Sequence, residues 1–127
     1  MAQQFFCYST GAIALTAVVG NTGLATVSIG SDADFQLQYL TYVAEQVTVA
    51  VVNFTGLIQI NDSAVGRTFF DQPVPLQSVA GTGAQPYVIL IPRLVRSNSS
   101  LTVSLVQRQA VATNVFLILH GYKMLSD

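Results

Sequence analysis

Residues Ser100-Leu101-Thr102-Val103-Ser104-Leu105 decide the fold class, because large apolar and small hydroxyl side chains alternate along them without a break. A period of two belongs to an extended strand, whose successive side chains point to opposite faces of a sheet. The pattern therefore predicts a strand with one buried face, formed by Leu101, Val103 and Leu105.

The same pattern recurs in short blocks separated by Gly, Asn, Asp, Ser or Pro. We predict strands over residues 12–19, 24–29, 35–39, 48–54, 57–60, 87–91, 101–105 and 113–122. In the third strand, Phe35, Leu37 and Tyr39 are expected on one face. In the last, Val115, Leu117 and Leu119 are expected opposite to Phe116, Ile118 and His120. Helical periodicity is absent, so we expect an all-β fold, an eight-stranded antiparallel jelly-roll-like β-sandwich. An immunoglobulin-like sandwich is the alternative, although its Cys and Trp landmarks are missing.

Two segments lack this alternation. Residues 1–11 are predicted to form an N-terminal arm ahead of a single β-sandwich domain over residues 12–127, and residues 62–86 are predicted to form a long loop. Both carry aromatic or charged groups typical of interfaces. The candidate interface residues are Phe5, Phe6 and Tyr8 in the arm and Arg67, Phe69, Phe70 and Asp71 in the loop. An equal alternative is that Phe69 and Phe70 plug the bottom of the sandwich.

The composition points to a surface that partners cover. Only 9% of the 127 residues are charged and 51% are hydrophobic, whereas about 25% charged residues are typical. We therefore expect the chain to associate with itself, as a dimer or trimer. The five basic residues are scattered, so nucleic-acid binding is not expected. No apolar run approaches the length of a membrane-spanning helix, and no membrane association is expected.

The residues needed for chemistry are scarce. The chain has one histidine, His120, and one cysteine, Cys7, whose sequence neighbours are apolar. We interpret His120 as a packed or hydrogen-bonded strand residue and Cys7 as an inert thiol without a basic neighbour. Asp32 and Asp34 form a D-x-D pair that is more typical of a turn than of a calcium loop. We expect no enzyme activity, no cofactor, no metal and no small-molecule substrate.

From residue 34 onward the order of strands and turns resembles a known family. The segments that carry the resemblance span residues 34–42, 66–76, 81–87, 97–103 and 119–123, and read DFQLQYLTY, GRTFFDQPVPL, GTGAQPY, SNSSLTV and LHGYK. They resemble small jelly-roll virion structural proteins of tailed bacteriophages, of the capsid cement or decoration type. About three-quarters of the chain is covered, and the motifs are turns and strands without chemical signatures.

The resemblance implies a protein added to the outside of a capsid, as dimers or trimers that bridge neighbouring capsomers. Its partners would be further copies of itself and the major capsid protein. Its location would be the virion, assembled in the bacterial host cytoplasm. Two alternatives stay open. One is a tail or baseplate component, and the other is a carbohydrate- or receptor-binding β-sandwich that uses Tyr39, Tyr42, Phe69 and Phe70.

Overall fold

Two antiparallel sheets pack face to face in the computed structural model, which describes residues 2–46, 55–81 and 87–125. Strands rich in β-branched and aromatic residues, separated by turn residues, favour this architecture. The strands are β1 (Ala2–Leu15), β2 (Thr22–Ser28), β3 (Asp34–Gln46), β4 (Gly56–Asp62), β5 (Arg67–Thr68), β6 (Val74–Pro75), β7 (Tyr87–Val95), β8 (Ser100–Gln107) and β9 (Thr113–Leu125). A short 3-10 helix, Leu76–Ser78, follows β6. None of the described segments is a helix able to cross a membrane.

The strand order is that of a jelly roll. The first sheet has the order β1-β9-β3-β7, and the second has the order β2-β8-β4-β5, with β6 also pairing with β4. The two-residue strands β5 and β6 share one edge position, so the described strands fill eight positions. Apart from the step from β4 to β5 and β6, successive strands alternate between the sheets, as two Greek-key connections require. The expected all-β jelly-roll-like sandwich is confirmed.

The core lies between the two sheets and follows the predicted alternation. Leu101, Val103 and Leu105 are fully buried, as predicted for β8. On β9, Val115, Leu117 and Leu119 are buried while the intervening residues are only half-buried. Phe35 and Leu37 of β3 complete the centre of the core.

A β-bulge corrects the prediction for Tyr39. The register of β3 against β9 shifts between Leu37 and Tyr39, so Gln38 is an extra residue. One inserted residue reverses which side chains face the core. Leu40 and Tyr42 therefore point inward, and Tyr39 lies on the outer face of the sheet. The prediction that Phe35, Leu37 and Tyr39 share one face is wrong for Tyr39.

The expected irregular arm is also corrected. Residues 2–15 form the continuous edge strand β1, paired with β9 from Ala2 to Leu15. The sequence concealed this strand for two reasons. Phe5 and Cys7 on one side and Phe6 and Tyr8 on the other leave no polar–apolar alternation, and a bulge follows at Thr10 and Gly11, where Gly11 has a φ of +70°. The hydroxyl of Thr10 accepts a hydrogen bond from the N–H of Leu117, 3.1 Å away. The bulge is therefore built into the ladder, although it interrupts the alternation.

The long loop is more ordered than expected. Its residues 62–81 contain β5, β6 and the 3-10 helix, and they complete the edge of the second sheet beside β4. The side-chain amide of Gln59 fastens the loop, accepting from the N–H of Phe70 and donating to its carbonyl. The predicted strand over residues 48–54, and residues 82–86 of the loop, lie outside the described residues.

Candidate assembly surface

The outer face of the first sheet carries rows of uncharged, mostly apolar side chains. The rows follow the register across β1, β9, β3 and β7. They consist of Phe5, Tyr122, Gln36 and Leu94; Cys7, His120 and Tyr39; Ser9, Ile118 and Thr41; and Ala12, Phe116 and Val43. We call these residues the apolar face. The acidic residues Asp34 and Glu45 stand only at the two ends of β3, so none of the described residues in these rows carries a full charge at neutral pH.

Several side chains of this face are open to solvent. Phe5 is 55% exposed, Leu94 48%, Val43 39% and Tyr122 37%. The rings of Phe5 and Tyr122 meet edge-on with their centroids 6.0 Å apart. Exposed apolar side chains that contact one another are typical of an interaction site, whereas isolated exposed apolar residues need no explanation.

His120 organises the centre of the apolar face. Its ring stacks on Tyr39, with centroids 4.4 Å apart and planes 10° apart. Its Nε2 lies 2.8 Å from the Thr41 hydroxyl, and its Nδ1 lies 3.2 Å from the Cys7 sulfur. With the thiol protonated, Cys7 donates to Nδ1 and the Nε2–H donates to Thr41. The prediction of a packed, hydrogen-bonded strand histidine is confirmed.

The expectation that Cys7 has no basic neighbour is wrong. The pairing of β1 with β9 places His120 directly opposite Cys7, although 113 positions separate them in the chain. Burial nevertheless raises the pKa of the Cys7 thiol and lowers the pKa of the His120 imidazole. Both shifts favour the neutral forms, so the proton stays on sulfur at neutral pH. The pair favours packing over nucleophilic chemistry.

The outer face of the second sheet has a different character. Leu24 is its most exposed large apolar side chain, at 68%. Around it the outward positions of β2, β8 and β4 are mostly hydroxyl and amide groups: Thr22, Thr26, Ser28, Ser100, Thr102, Ser104, Gln59 and Asn61. Such groups are satisfied by water. Besides Leu24, the apolar outward positions on these strands are the half-buried Leu57 and Val106. The contrast makes the first sheet, and not the second, the candidate assembly surface.

The predicted arm residues divide between the two sides of β1. Phe5 belongs to the apolar face, whereas Phe6 and Tyr8 are half-buried against the core. The Tyr8 ring meets Phe35 edge-on at 4.9 Å, and its hydroxyl accepts a hydrogen bond from the N–H of Gly30. The Lys123 ammonium covers the Phe6 ring at 4.0 Å. Phe6 and Tyr8 thus close the rim of the core.

The predicted loop residues lie on the other side of the sandwich. Phe69 and Phe70 are half-buried and pack against the core, and the guanidinium of Arg93 on β7 covers Phe69 at 4.1 Å. Arg67 and Asp71 are exposed. Since β7 and β1 are opposite edges of the first sheet, the structure does not bring the arm and loop residues together.

The other candidate groupings are also dispersed. Asp32 pairs with Lys123 at 3.0 Å, which lowers the pKa of its carboxyl group through the hydrogen bond to the ammonium. Asp34 instead accepts a hydrogen bond from the N–H of Ser97. Among the described residues, no three His, Cys, Asp or Glu side chains converge as a metal site would require. Of the four aromatics considered for sugar binding, Tyr42 is buried and Tyr39 is covered by His120.

The sequence interpretation missed most of the apolar face. A usable signal was present in residues 113–122, where Phe116 and Ile118 leave the strand apolar on both sides. A strand with two apolar faces needs a second covering layer. No protein-family model matches the chain, and no curated protein matches it either.

Proposed function

We propose that this chain is a structural virion protein of a tailed phage, a capsid cement or decoration protein that stabilises the head by binding across neighbouring capsid subunits. Its partners are further copies of itself and the major capsid protein, and its role involves no catalysis. The apolar face is the observation that carries the proposal. The resemblance of residues 34–123 to such proteins gives the biological setting.

The apolar face suits a permanent partner. Its large exposed side chains are aromatic and aliphatic, its central histidine is held neutral, and no Lys, Arg, Asp or Glu lies within its rows. Depletion of charge and enrichment of aromatic residues are typical of interface cores. A jelly roll with one apolar face and one hydroxyl-rich face can bind a partner through the first and leave the second exposed to water.

Binding to particles that lack the protein tests this proposal. We compare the wild type with a double variant, Phe5→Thr and Tyr122→Thr, that makes the apolar face polar at exposed positions. Leu24→Thr is the matched control, because it removes a more exposed apolar side chain from the opposite face. Sedimentation of particles with bound protein gives the occupancy, and circular dichroism verifies folding.

Wild type and Leu24→Thr should decorate the particles to the same occupancy, and the double variant should lose at least about tenfold in affinity. Equal binding by all three would refute the role of the apolar face. Wild-type protein that binds tails and not heads would place the chain among tail or baseplate components instead. Wild-type protein that binds neither would contradict the virion assignment.

A further inference from the structure

The four sheet edges are protected to different degrees. Among the described strands, β7 and the β5–β6 pair border one side of the sandwich. The edge strand β7 contains Pro92 and Arg93, and the other edge consists of two-residue strands with Arg67 and Pro75. Short length, proline and basic residues are the usual devices that prevent an edge from pairing with another chain. This side carries all three.

Among the described strands, β1 and β2 border the opposite side, and neither is shortened to two residues or contains proline or basic residues. The fourteen residues of β1 and the seven of β2 include no Asp, Glu, Lys, Arg or Pro. The bulge at Thr10 and Gly11 interrupts β1 only after the regular segment of residues 3–9. Seven residues extend over about 23 Å. A long uncharged edge strand is a template for an added strand.

The pairing of β1 with β9 determines which backbone N–H and C=O groups of β1 point to β9 and which point away from it. The N–H of Leu117 on β9 points at Thr10 of β1, and backbone groups along a strand point alternately to either side. The backbone N–H and C=O groups of Leu119 and Gly121 therefore also point to β1, where Tyr8 and Phe6 are their register partners. It follows that Gln4, Phe6 and Tyr8 hydrogen-bond to β9. The N–H and C=O groups of Gln3, Phe5, Cys7 and Ser9 point to the other side of β1, the free edge, where no described strand pairs with it.

We propose that β1 pairs antiparallel with β1 of a second copy about a two-fold axis, through the edge groups of residues 3–9. A second copy fits this edge because antiparallel pairing of one segment with itself is self-complementary. Since the segment is uncharged, the two copies bring no like charges together. The first sheets of both copies then join into one continuous eight-stranded sheet.

The antiparallel pairing determines on which side of the joined sheet each apolar face lies. Directly opposite residues of an antiparallel pair direct their backbone groups either both toward each other or both away. Phe5, Cys7 and Ser9 must therefore oppose members of the same set in the second copy. Opposite residues also share a face of the sheet. Both apolar faces consequently lie on the same side, and the dimer presents a doubled apolar surface.

This inference deepens the proposed function and rests on it in one respect: the doubled apolar surface serves a purpose only if the apolar face binds a capsid. The pairing itself is measured on free protein, so either idea can fail alone. A dimer that does not bind capsids would contradict the virion role only. Capsid binding by a monomer would contradict the edge pairing only.

Amide hydrogen exchange resolved by NMR tests the pairing at single residues. The amides of Gln4, Phe6 and Tyr8 should be protected at every concentration, because they bond within the chain. The amides of Phe5 and Cys7 should exchange rapidly in dilute protein. Their protection should rise at least about tenfold at concentrations where sedimentation shows a dimer. A dimer that leaves the Phe5 and Cys7 amides unprotected would overturn the proposal, as would a monomer at high micromolar concentration.

A matched pair of variants separates edge pairing from association through the apolar face. Phe5→Ala and Phe5→Pro both remove the exposed ring, but only proline removes the N–H that points to the free edge. Phe5→Pro should therefore raise the dimer dissociation constant at least about tenfold over Phe5→Ala. Equal dissociation constants would overturn edge pairing. The Gln4, Phe6 and Tyr8 amides report whether each variant keeps the β1–β9 ladder, and a variant that loses it is replaced by the same pair of changes at Gln3.

Discussion

The place of His120 in the apolar face depends on its imidazole being neutral. Both ring nitrogens contact uncharged groups, the Cys7 thiol and the Thr41 hydroxyl, and the ring lies flat on Tyr39. Among the described residues, no carboxylate contacts the ring to stabilise an imidazolium. Burial accordingly lowers the pKa of His120 below the ordinary 6.5.

This lowered pKa predicts a pH-dependent stability. Between the folded pKa and 6.5 the unfolded chain binds more protons than the folded chain, so stability falls as the pH drops through that window. The loss is complete below the folded pKa. We expect His120→Gln to lose less stability than the wild type between pH 7.5 and pH 5, measured by urea unfolding. Identical pH profiles would contradict a lowered pKa of His120 in the folded protein. The acidic side chains are common to both proteins and cancel in the comparison.

Gly121 is a second residue-scale constraint, because a side chain there has no space. A Cβ atom at this position would overlap the carbonyl of Gln36 on β3 and touch the Phe35 ring at 3.0 Å. We expect Gly121→Ala to cost about 3 kcal/mol. Gly20→Ala is the comparison, since Gly20 has a φ of +91° but open space around it, and should cost about 1 kcal/mol. Thermal melts of both variants show whether the lack of space at Gly121 costs more stability than the backbone strain at Gly20.

The contact between Cys7 and His120 could not be predicted from the sequence. Cys7 and His120 each sit in an ordinary apolar stretch, and nothing local reveals that they face each other. Their contact depends on the pairing of the first strand with the last, which is a property of the topology. The sequence did predict the alternation around His120, and with it which neighbours are buried.

At the scale of elements, β8 gives the sharpest test of the sandwich. Leu105 is fully buried, whereas Thr102 is half-buried on the outer face between Thr26 and Asn61. Leu105→Asp buries an unpaired charge and should cost about 4 kcal/mol or more. Thr102→Asp should cost no more than about 1 kcal/mol. Equal shifts in the urea midpoint would be incompatible with the assigned faces of β8.

The segment between β4 and β7 gives a second contrast. Phe69 packs against the core beneath the Arg93 guanidinium, while Arg67 is exposed two residues earlier. Truncating a half-buried ring removes about half the packing of a core phenylalanine, so Phe69→Ala should cost about 2 kcal/mol. Arg67→Ala should stay within about 0.5 kcal/mol. Chemical denaturation measures both, and an unchanged Phe69→Ala variant would instead favour Phe69 as a surface anchor.

Bulges explain where the prediction of elements failed. Regular strands such as β8 and β9 were predicted with their faces correct, because a strict period of two survives along them. Gln38 in β3 and Thr10 with Gly11 in β1 each add one residue, which hides the strand or reverses its faces. No local signal distinguishes such a bulge from a strand end. The error at β1 made an edge strand look like a free arm.

At the scale of the whole molecule, the two outer faces and the two sides of the sandwich are all different. One face is apolar and the other is rich in hydroxyl groups, and one side has protected edges while the other does not. Low overall charge predicted that partners cover part of the surface. It did not say which part, because that depends on how β1, β3, β7 and β9 align their outward residues.

Direct imaging of assembled particles tests the central claim that the apolar face attaches this protein to a capsid. A cryo-electron microscopy map of virions that contain the protein should show the jelly roll on the outside of the head at capsomer boundaries. In that map Phe5, Val43 and Tyr122 should contact capsid subunits, and Leu24 should face solvent. Density on the head with the hydroxyl-rich face against the capsid, or heads without any density for the chain, would contradict the account.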